Sequence, residues 1–342
     1  MRSALGVQAA GACTPLGLAL VPTVAAERAG IRRFALVEAP GPRGDACTAS
    51  RLSTIAPECT RRERVYALLQ HAVEDCARQL TQRSRVMTLV CLPDGLQHVA
   101  HEAQAIMRSA VAARSHLDHA ASGNVLFGAR TIFLEAMAVA RRALEQDRAD
   151  EVLVGVADSL VDRETLAELA RLGALQGERN LDGIFPGEAA ACLSLALQRR
   201  RAMRTGVSGL LSSYACQVDA GSGTPADVSM SEALGRLFDE ARSDSPDSAV
   251  DVAWSAQNGQ SRWDRYFAYA YLRHAAWFRD PLRARSIAQA YGDLGCAALP
   301  LAAAVAMVPS LRAPRPGQGQ TSLIHTLCDS GRGGSLLVEA DA

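Results

Sequence analysis

The sequence predicts an α/β fold in which helices cover both faces of a sheet. Apolar runs of strand length alternate with helical segments, and these runs are apolar throughout rather than at every second residue. Such runs are typical of strands that are buried on both faces. The same order of elements begins again after about residue 200, so we expect two α/β halves, residues 1–200 and 201–342, with no similarity between them at the level of residues.

The first half opens with a strand over residues 1–10 and a glycine-rich turn over 11–17. A long loop rich in Pro, Gly and Arg follows and carries one short strand. Apolar residues at helical spacing then predict the first helix of this half, and continuous apolar runs predict its later strands. The predicted strands are 34–37, 85–92, 151–155 and 189–196, and the predicted helices are 62–80, 96–113, 131–146 and 161–175.

The second half follows a basic connector over residues 198–204. One of its helices carries much of the aromatic content of the chain, which indicates packing in a core or an interface. Another is rich in alanine. The predicted strands are 207–216, 249–254, 321–328 and 335–339, and the predicted helices are 230–242, 263–278 and 292–308.

The composition excludes several classes of function. The 342 residues carry no net charge at pH 7, whereas a nucleic-acid binder needs an excess of positive charge to meet the phosphates. All 36 basic residues are arginine. Without lysine the chain cannot form a Schiff base, build a phosphate loop with its usual lysine, or use a lysine as a general base.

The cysteines and the N-terminal segment bear on location. Nine cysteines are scattered singly without a Cys-x-x-Cys pair, which is typical of free thiols in a reducing compartment and predicts a cytoplasmic protein. Residues 5–26 resemble a signal peptide, but Pro15 and Pro22 interrupt them and no clear cleavage site follows. Since no apolar run reaches ~18 residues, we expect no membrane span.

Four segments of the sequence resemble the β-ketoacyl synthases. Residues 138–160 contain A-V-A-R-R-A-L and R-A-D-E-V-L-V-G-V-A-D-S-L, similar to the family's A-A-R-x-L and G-x-A-D-x-x-L-V-G-G-x-D-S-L. Residues 180–191, N-L-D-G-I-F-P-G-E-A-A-A, are similar to D-G-F-x-x-G-E-G-A. Residues 327–336 are similar to N-S-F-G-F-G-G-x-N, and residues 11–17 to G-x-V-T-P-L-G. Their order and spacing agree over nearly the whole chain.

The resemblance implies a thiolase-like fold, in which two similar α/β halves form a five-layered α-β-α-β-α arrangement. It also implies the chemistry of acyl transfer and decarboxylative condensation. In that family a cysteine at a helix N-terminus accepts the acyl group as a thioester. Two histidines, or a histidine and an asparagine, then assist decarboxylation, and backbone amides form the oxyanion hole.

This sequence departs from the family at each catalytic position. Family spacing, counted back from residues 148–150, places Arg130 at the position of the nucleophile. The first histidine position falls at Ser255, within one residue, and the last catalytic position falls at Asp293, after Gly292. Because a guanidinium group cannot form a thioester, this register excludes ordinary condensation at the site.

Each substituted position keeps two interpretations. Arg130 either points to solvent at the start of a helix or fills the space that the catalytic cysteine occupies in the family. Asp293 either caps its own helix or pairs with Arg130. If the two side chains meet, within ~4 Å, they plug the site with an ion pair. Arg332 is either a surface arginine or lines the remaining opening, where it would meet an anionic ligand such as a phosphopantetheine phosphate. We assign the ligand-binding turn to Arg332 and to three glycines, which are expected first of all to give that turn its backbone freedom: Gly331, Gly333 and Gly334.

Other reactive side chains are weaker candidates. The cysteines that lie in or beside apolar segments, Cys192, Cys296 and Cys328, are expected to be core residues rather than nucleophiles. Two groups of residues have the spacing of metal ligands, His98 with His101, and His116 with Asp118 and His119. Solvated histidines explain both groups, so we expect neither a metal nor a cofactor.

We therefore expect a β-ketoacyl synthase-like pseudoenzyme that acts as a partner or scaffold subunit. It would resemble a chain-length factor, or serve as an accessory of type VI secretion. An acyltransferase or acyl-thioester-binding enzyme that uses other residues is the alternative. The family resemblance implies a homodimer, or a heterodimer with a related synthase, formed through residues 111–128. An acyl carrier protein and a secretion-system component are further expected partners.

Overall fold

A computed structural model gives the fold of the chain. It describes residues 4–38, 46–119, 123–178, 180–197, 209–217, 226–246, 248–308 and 319–340. The elements of the first half are β1 Leu5–Cys13, α1 Leu20–Arg28, β2 Phe34–Glu38, β3 Ala46–Ser50, α2 Arg61–Arg78, β4 Ser84–Leu92, α3 Ala100–Ala112, β5 Leu117–His119, β6 Val125–Phe127, α4 Ile132–Glu145, β7 Glu151–Ser159, α5 Arg163–Arg171 and β8 Glu188–Leu197.

The second half contains fewer elements in a similar order. They are β9 Gly209–Gln217, α6 Ala226–Asp244, β10 Val252–Ser255, α7 Ser261–His274, β11 Ala284–Ser286, α8 Ile287–Tyr291, α9 Ala298–Met307, β12 Gln320–Leu327 and β13 Arg332–Ala340. The predicted basic connector, together with the predicted boundary at residue 200, lies outside the described residues.

The strands of the two halves follow the same plan. In the first half the order is β1-β8-β7-β4-β5, with β6 also beside β4, and in the second it is β9-β13-β12-β10-β11. In each half the first two pairings are antiparallel and the remaining ones are parallel. A short antiparallel pairing of β1 with β9, at Leu5–Val7, joins the two sets of strands edge to edge.

Helices separate and cover the two sets of strands. The helices α2 and α3 pack on the outer face of the first set, and α6 and α7 pack on the outer face of the second. Between them α4 and α9 contact both sets, and every residue of α9 is buried. A helix buried all round must be apolar on every side, which explains its alanine-rich sequence. The predicted five-layered α-β-α-β-α arrangement is confirmed.

Two helices of the first half, α2 and α5, begin at a residue whose side chain caps them. The Thr60 side chain accepts the Glu63 amide, and the Glu63 carboxylate accepts the Thr60 amide, so both ends of a capping box are present at α2. The Asp162 carboxylate accepts the amides of Glu164 and Thr165 at the start of α5. The apolar face of α2 that helical spacing predicted is buried against β1 and β8.

Several boundaries differ from the sequence-based predictions. The segment resembling a signal peptide forms the buried strand β1 and the helix α1, which was not predicted. The predicted helix 292–308 begins only at Ala298, because Gly292 takes a φ of 78° and a 3-10 turn follows it. The predicted helix 263–278 ends at His274, and β3 pairs with β2 in a hairpin that the sequence did not indicate. Among the described residues, no helix is long and apolar enough to cross a membrane.

Candidate functional site

The ends of the two central helices bring the predicted site residues together. Arg130 lies just before α4, and Asp293 lies on the segment that leads into α9. A side chain at Gly292 would place its Cβ 2.6 Å from the carbonyl oxygen of Phe185, so the close approach of these segments requires glycine. The Asp293 amide donates to the Phe185 carbonyl at 2.7 Å, which fixes the aspartate against the segment that leads into β8.

Arg130 and Asp293 form a hydrogen-bonded ion pair between Nη2 and Oδ1. Their side chains are 15% and 5% exposed. Asp293 Oδ1 also accepts the Gly295 amide at 2.9 Å, so the aspartate binds the arginine and caps its own turn at once. Burial disfavours the charged form of Arg130, but the charge of Asp293 and their hydrogen bond outweigh burial and raise the pKa of the guanidinium. The expected ion pair is therefore present, and Arg130 does not point to solvent.

A second ion pair, which sequence reasoning missed, lies beside the first. Arg61, the first residue of α2, donates to Asp158 at the end of β7 over 2.7 Å. Asp158 Oδ2 also accepts the Cys296 amide at 3.0 Å, close to the start of α9. Burial raises the pKa of Asp158, and the charge of Arg61 opposes this effect. Each of the two guanidinium groups of the site therefore faces a carboxylate.

Two of the predicted core cysteines lie in this region. Cys328 follows β12, and its thiol contacts the Thr131 side chain and the amides at the start of α4. Burial raises the pKa of the Cys328 thiol and outweighs the opposing charge of Arg130. Burial likewise raises the pKa of Cys296, which lies in the 3-10 turn before α9 rather than inside the helix. Both thiols are buried, as is Cys192 in β8.

Ser255 ends β10, and its side chain is buried. Two residues later Gln257 is 2% exposed, and neither polar atom of its amide has a hydrogen-bond partner among the described residues. The intervening Ala256 amide donates to the His325 carbonyl, which holds this segment beside the end of β12. Gln257 is therefore a second candidate, beside Ser255, for the first histidine position of the family. In the sequence, only its polar side chain after an apolar strand could have indicated it.

Arg332 lies at the rim of the site rather than inside it. Its guanidinium is 62% exposed and binds Glu135 of α4 at 3.2 Å. No hydrogen bond or ion pair in the described part of the chain joins Arg332 to Arg130 or Asp293. It does line a cavity of about 570 Å³ together with Thr131, Glu135 and Gln217. The sequence predicted that Arg130, Asp293 and Arg332 converge. In the structure only Arg130 and Asp293 meet, and Arg332 lies on the wall of the adjoining cavity.

The structural reason for glycine differs among the three glycines near Arg332. Gly331 has a φ of 79° and makes the turn between β12 and β13. Gly333 and Gly334 lie within β13, where their φ values are ordinary for a strand. A Cβ at Gly334 would lie 2.0 Å from Leu134 Cδ1 of α4 and 3.0 Å from the Tyr214 carbonyl oxygen of β9, so close packing favours glycine there. The expectation that all three supply backbone freedom is correct for Gly331 alone.

One histidine with metal-ligand spacing, His116, is engaged elsewhere. Among the described residues, no group of three or more His, Cys, Asp or Glu side chains is placed to hold a metal ion. His116 instead contacts the Leu80 carbonyl at 2.7 Å, which engages one ring nitrogen with the backbone.

Comparison with solved structures identifies chains of the same architecture. The structure of "the ishigamide ketosynthase/chain length factor" superposes with a TM-score of 0.72 at 16% identity, and the match covers 99% of this chain and all of that one. A second match is a type II polyketide synthase acyl-carrier protein in complex with its ketosynthase bound to the hexaketide. Its TM-score is 0.75 at 14% identity, and the match covers 99% of this chain and all of that one. The ketosynthase from module 6 of the bacillaene synthase of Bacillus subtilis 168 gives 0.72 at 15%, over 99% and 72%.

Similarity at the level of sequence is much weaker. No protein-family model matches the chain, and no curated protein matches it. At 14–16% identity the superpositions establish the fold, which is the thiolase-like fold of ketosynthases. The chemistry of the site must be argued from its own residues.

Proposed function

We propose that this chain is a ketosynthase-like subunit that does not condense acyl groups and acts as a partner or scaffold. The observation that carries the proposal is the Arg130–Asp293 ion pair, which occupies the start of α4. In ketosynthase-like proteins that position would hold the nucleophilic cysteine. An arginine there cannot accept an acyl group, and its carboxylate partner keeps it in place.

The electrostatics of the site support the same conclusion. Arg61 and Asp158 lie next to the plug and form a pair of their own, so the described charges of the site satisfy one another. The nearest thiol, Cys328, is 7% exposed and has a raised pKa, which favours the unreactive protonated form.

A partner subunit is the role that this arrangement fits. The first named structural neighbour is a ketosynthase/chain length factor, and another is an acyl-carrier protein with its ketosynthase. In this chain β5 and β6 lie at the edge of the strand order, beside β4, within the segment expected to form a dimer. An exposed strand edge gains by pairing with another chain. We propose that a second copy or a related synthase pairs there.

The test of inactivity uses malonyl and acyl thioesters of a carrier protein. We expect no condensation product above the level of a no-protein control, while an active ketosynthase in the same assay gives product. Arg130→Cys is the sharper variant, because it restores a thiol at the start of α4. We expect it to become acylated but not to condense, since no histidine follows β10 at 255–257 or stands at 293. Turnover by the unmodified chain that one Cys→Ala change abolishes would contradict the proposal.

The oligomeric state tests the partner role separately. Light scattering at high micromolar concentration should give a mass of twice the 36.2 kDa chain if the chain pairs with itself. A monomer under these conditions excludes the homodimer. Co-purification from the native host then distinguishes a related synthase, an acyl carrier protein and a secretion-system component as the partner.

One observation favours the alternative of an acyl-binding or acyl-transferring enzyme. The 570 Å³ cavity reaches Thr131, whose side chain contacts the Cys328 thiol. A reactive chloroacetyl thioester probe distinguishes the two functions. Stoichiometric labelling of wild type that is lost in Cys328→Ser but kept in Cys296→Ser supports the enzyme. Slow, partial labelling of several cysteines supports the scaffold.

A further inference from the structure

Helix α1 is apolar on the side that faces solvent as well as on the side that packs on the core. Its buried side carries Leu20 and Val24. The residues of the opposite side recur at helical spacing, are exposed and lack polar side chains: Leu18, Val21, Pro22, Ala25 and Ala29. Leu18 is 40% exposed and Val21 is 62% exposed. A surface helix ordinarily turns a polar face to water, so we expect this face, the α1 stripe, to meet another apolar phase.

Positive charge lies at the C-terminal end of the α1 stripe. Three exposed arginines follow closely along the chain there: Arg28, Arg32 and Arg33. Arg28 is the last residue of α1, and Arg32 donates to the Glu27 carbonyl at 3.4 Å, so both lie beside the last turn of the helix. Ile31 is 47% exposed, so apolar surface continues up to the arginines. Aliphatic side chains and guanidinium groups are therefore presented together.

The carboxylates close to α1 are already engaged. Glu27, the only acidic residue of the sequence from 14 to 33, is 10% exposed and binds Arg285. Asp75 accepts the Leu20 amide at the start of α1, over 2.8 Å, and its other carboxylate oxygen lies 3.7 Å from the Arg78 guanidinium. The second and third arginines of the group pair with no carboxylate among the described residues. The surface that complements this end of the stripe is therefore anionic.

An anionic lipid surface fits this patch better than a folded protein does. Protein interfaces contain about one hydrogen bond per 100–200 Å², but no side chain of the α1 stripe can donate or accept one. A second copy of the chain would bring the arginines of both copies to one interface, where like charges repel. A bilayer takes up aliphatic side chains beneath its headgroups, and its anionic lipids attract arginine.

We propose that the α1 stripe docks on an anionic membrane, with Leu18 and Val21 at the acyl chains and Arg32 and Arg33 at the lipid phosphates. The nine residues of α1 extend over about 14 Å, whereas the hydrocarbon core is about 30 Å thick, so the helix lies in the plane of the interface. Its buried side stays packed on the core, so docking needs no unfolding. The proposal uses none of the ion pairs of the candidate site and is independent of the proposed function.

The test is co-sedimentation of the full-length chain with vesicles at low ionic strength. We expect binding to vesicles of phosphatidylcholine mixed with phosphatidylglycerol, and much weaker binding to phosphatidylcholine alone, because the arginines need anionic lipid. Val21→Glu puts a carboxylate into the α1 stripe and should weaken binding roughly tenfold or more. Arg33→Gln should weaken it by about fivefold, and added salt should remove that difference.

The matched control for Val21→Glu is Leu272→Glu, because Leu272 on α7 is 70% exposed and the change adds the same charge on another helix. Arg265→Gln, also on α7, is the control for Arg33→Gln. Both controls should bind vesicles like wild type, and all four variants should keep its melting temperature, since each replaces an exposed side chain.

Three results would overturn the proposal: no binding to the mixed vesicles, equal binding to both kinds of vesicle, or equal weakening by Leu272→Glu. Light scattering of Val21→Glu examines the other occupant. If this change halves the mass of the particle and wild type binds no vesicles, a second copy covers the α1 stripe and the membrane proposal is wrong.

Discussion

The two most buried arginine–carboxylate pairs among the described residues differ in what surrounds them. Arg64 and Glu188 are both fully buried, and Arg64 Nη1 contacts the two carboxylate oxygens at 3.0 and 3.1 Å. Glu188 also accepts the Leu52 amide and the Ser159 hydroxyl. Arg130 and Asp293 are partly exposed, and of the two only Asp293 has a further hydrogen bond, from the Gly295 amide.

The difference separates a structural pair from one that occupies a site. The Arg64–Glu188 pair ties α2, β8, the end of β7 and residues 52–56 together, and water does not reach it. The Arg130–Asp293 pair lies between the ends of the two central helices, with a cavity next to it at Thr131. A side chain can be exchanged there at a lower cost, which agrees with the proposal that this pair replaces catalytic side chains.

The largest effect is expected from breaking the structural pair. Arg64→Leu leaves the Glu188 carboxylate buried without its counter-charge, so the free energy of unfolding should fall by about 3–5 kcal/mol. Urea denaturation at pH 7 measures it. Arg62→Leu, on the exposed side of the same helix turn, is the matched control and should change little. A loss of only about 1–2 kcal/mol for Arg64→Leu, the size expected for Arg130→Leu, would place the two pairs in one class.

A buried histidine without an ion pair gives the next largest effect. His325 in β12 is 3% exposed and stacks on the Phe267 ring at 4.8 Å. Burial lowers its pKa from 6.5 to about 4. The unfolded chain therefore binds a proton at a pH where the folded chain does not, and stability falls as the pH drops from 6.5 toward 4, by up to about 3 kcal/mol.

The variant His325→Gln isolates this contribution. It removes the titrating ring and also the stacking, so it should be less stable than wild type at pH 7. The difference in unfolding free energy should narrow as the pH falls from 6.5 toward 4, since only wild type loses the histidine contribution. A difference that stays constant over this range would show that His325 is already protonated or paired in the folded state.

Breaking the pair in the site should cost less than breaking the structural pair. Arg130→Leu leaves Asp293 with the Gly295 amide, and the 15% exposure of the Arg130 side chain places solvent next to the pair, so we expect a loss of about 1–2 kcal/mol. A double-mutant cycle with Asp293→Asn measures the coupling itself. A coupling energy as large as that between Arg64 and Glu188 would contradict the proposed difference.

The sequence predicted the parts of this comparison that depend on local pattern. The start of α4 followed from an apolar helix after a glycine, and the apolar residues of β7 predicted a buried strand. The contact of Arg130 with Asp293 was predicted only through the resemblance, which supplied a register across 163 positions. Spacing in one sequence carries no such long-range information.

Other features had no local signal strong enough to predict them. Arg61 reaches Asp158 because the start of α2 packs over the end of β7, and nothing in either segment indicates the other. The break in the helix predicted over 292–308 depends on a positive φ at Gly292, which glycine permits but does not require. Gln257 lies two residues beyond Ser255, outside the one-residue uncertainty of the register, so the sequence did not point to it.

The smallest effect is expected at the rim of the cavity, and it completes the comparison. Arg332 and Glu135 are 62% and 55% exposed and lie 3.2 Å apart, so solvent screens their attraction. Arg332→Gln should lower the free energy of unfolding by less than about 1 kcal/mol. In ~1 M NaCl, where the Debye length is ~3 Å, the loss should vanish, whereas the loss in Arg130→Leu should persist because that pair is mostly buried. Glu135→Gln is the matched control and should show the same salt dependence. If the loss of unfolding free energy in Arg332→Gln persists in high salt, Arg332 belongs with Arg130 inside the site. The distinction between the buried Arg130–Asp293 pair and the exposed Arg332–Glu135 pair would then be wrong.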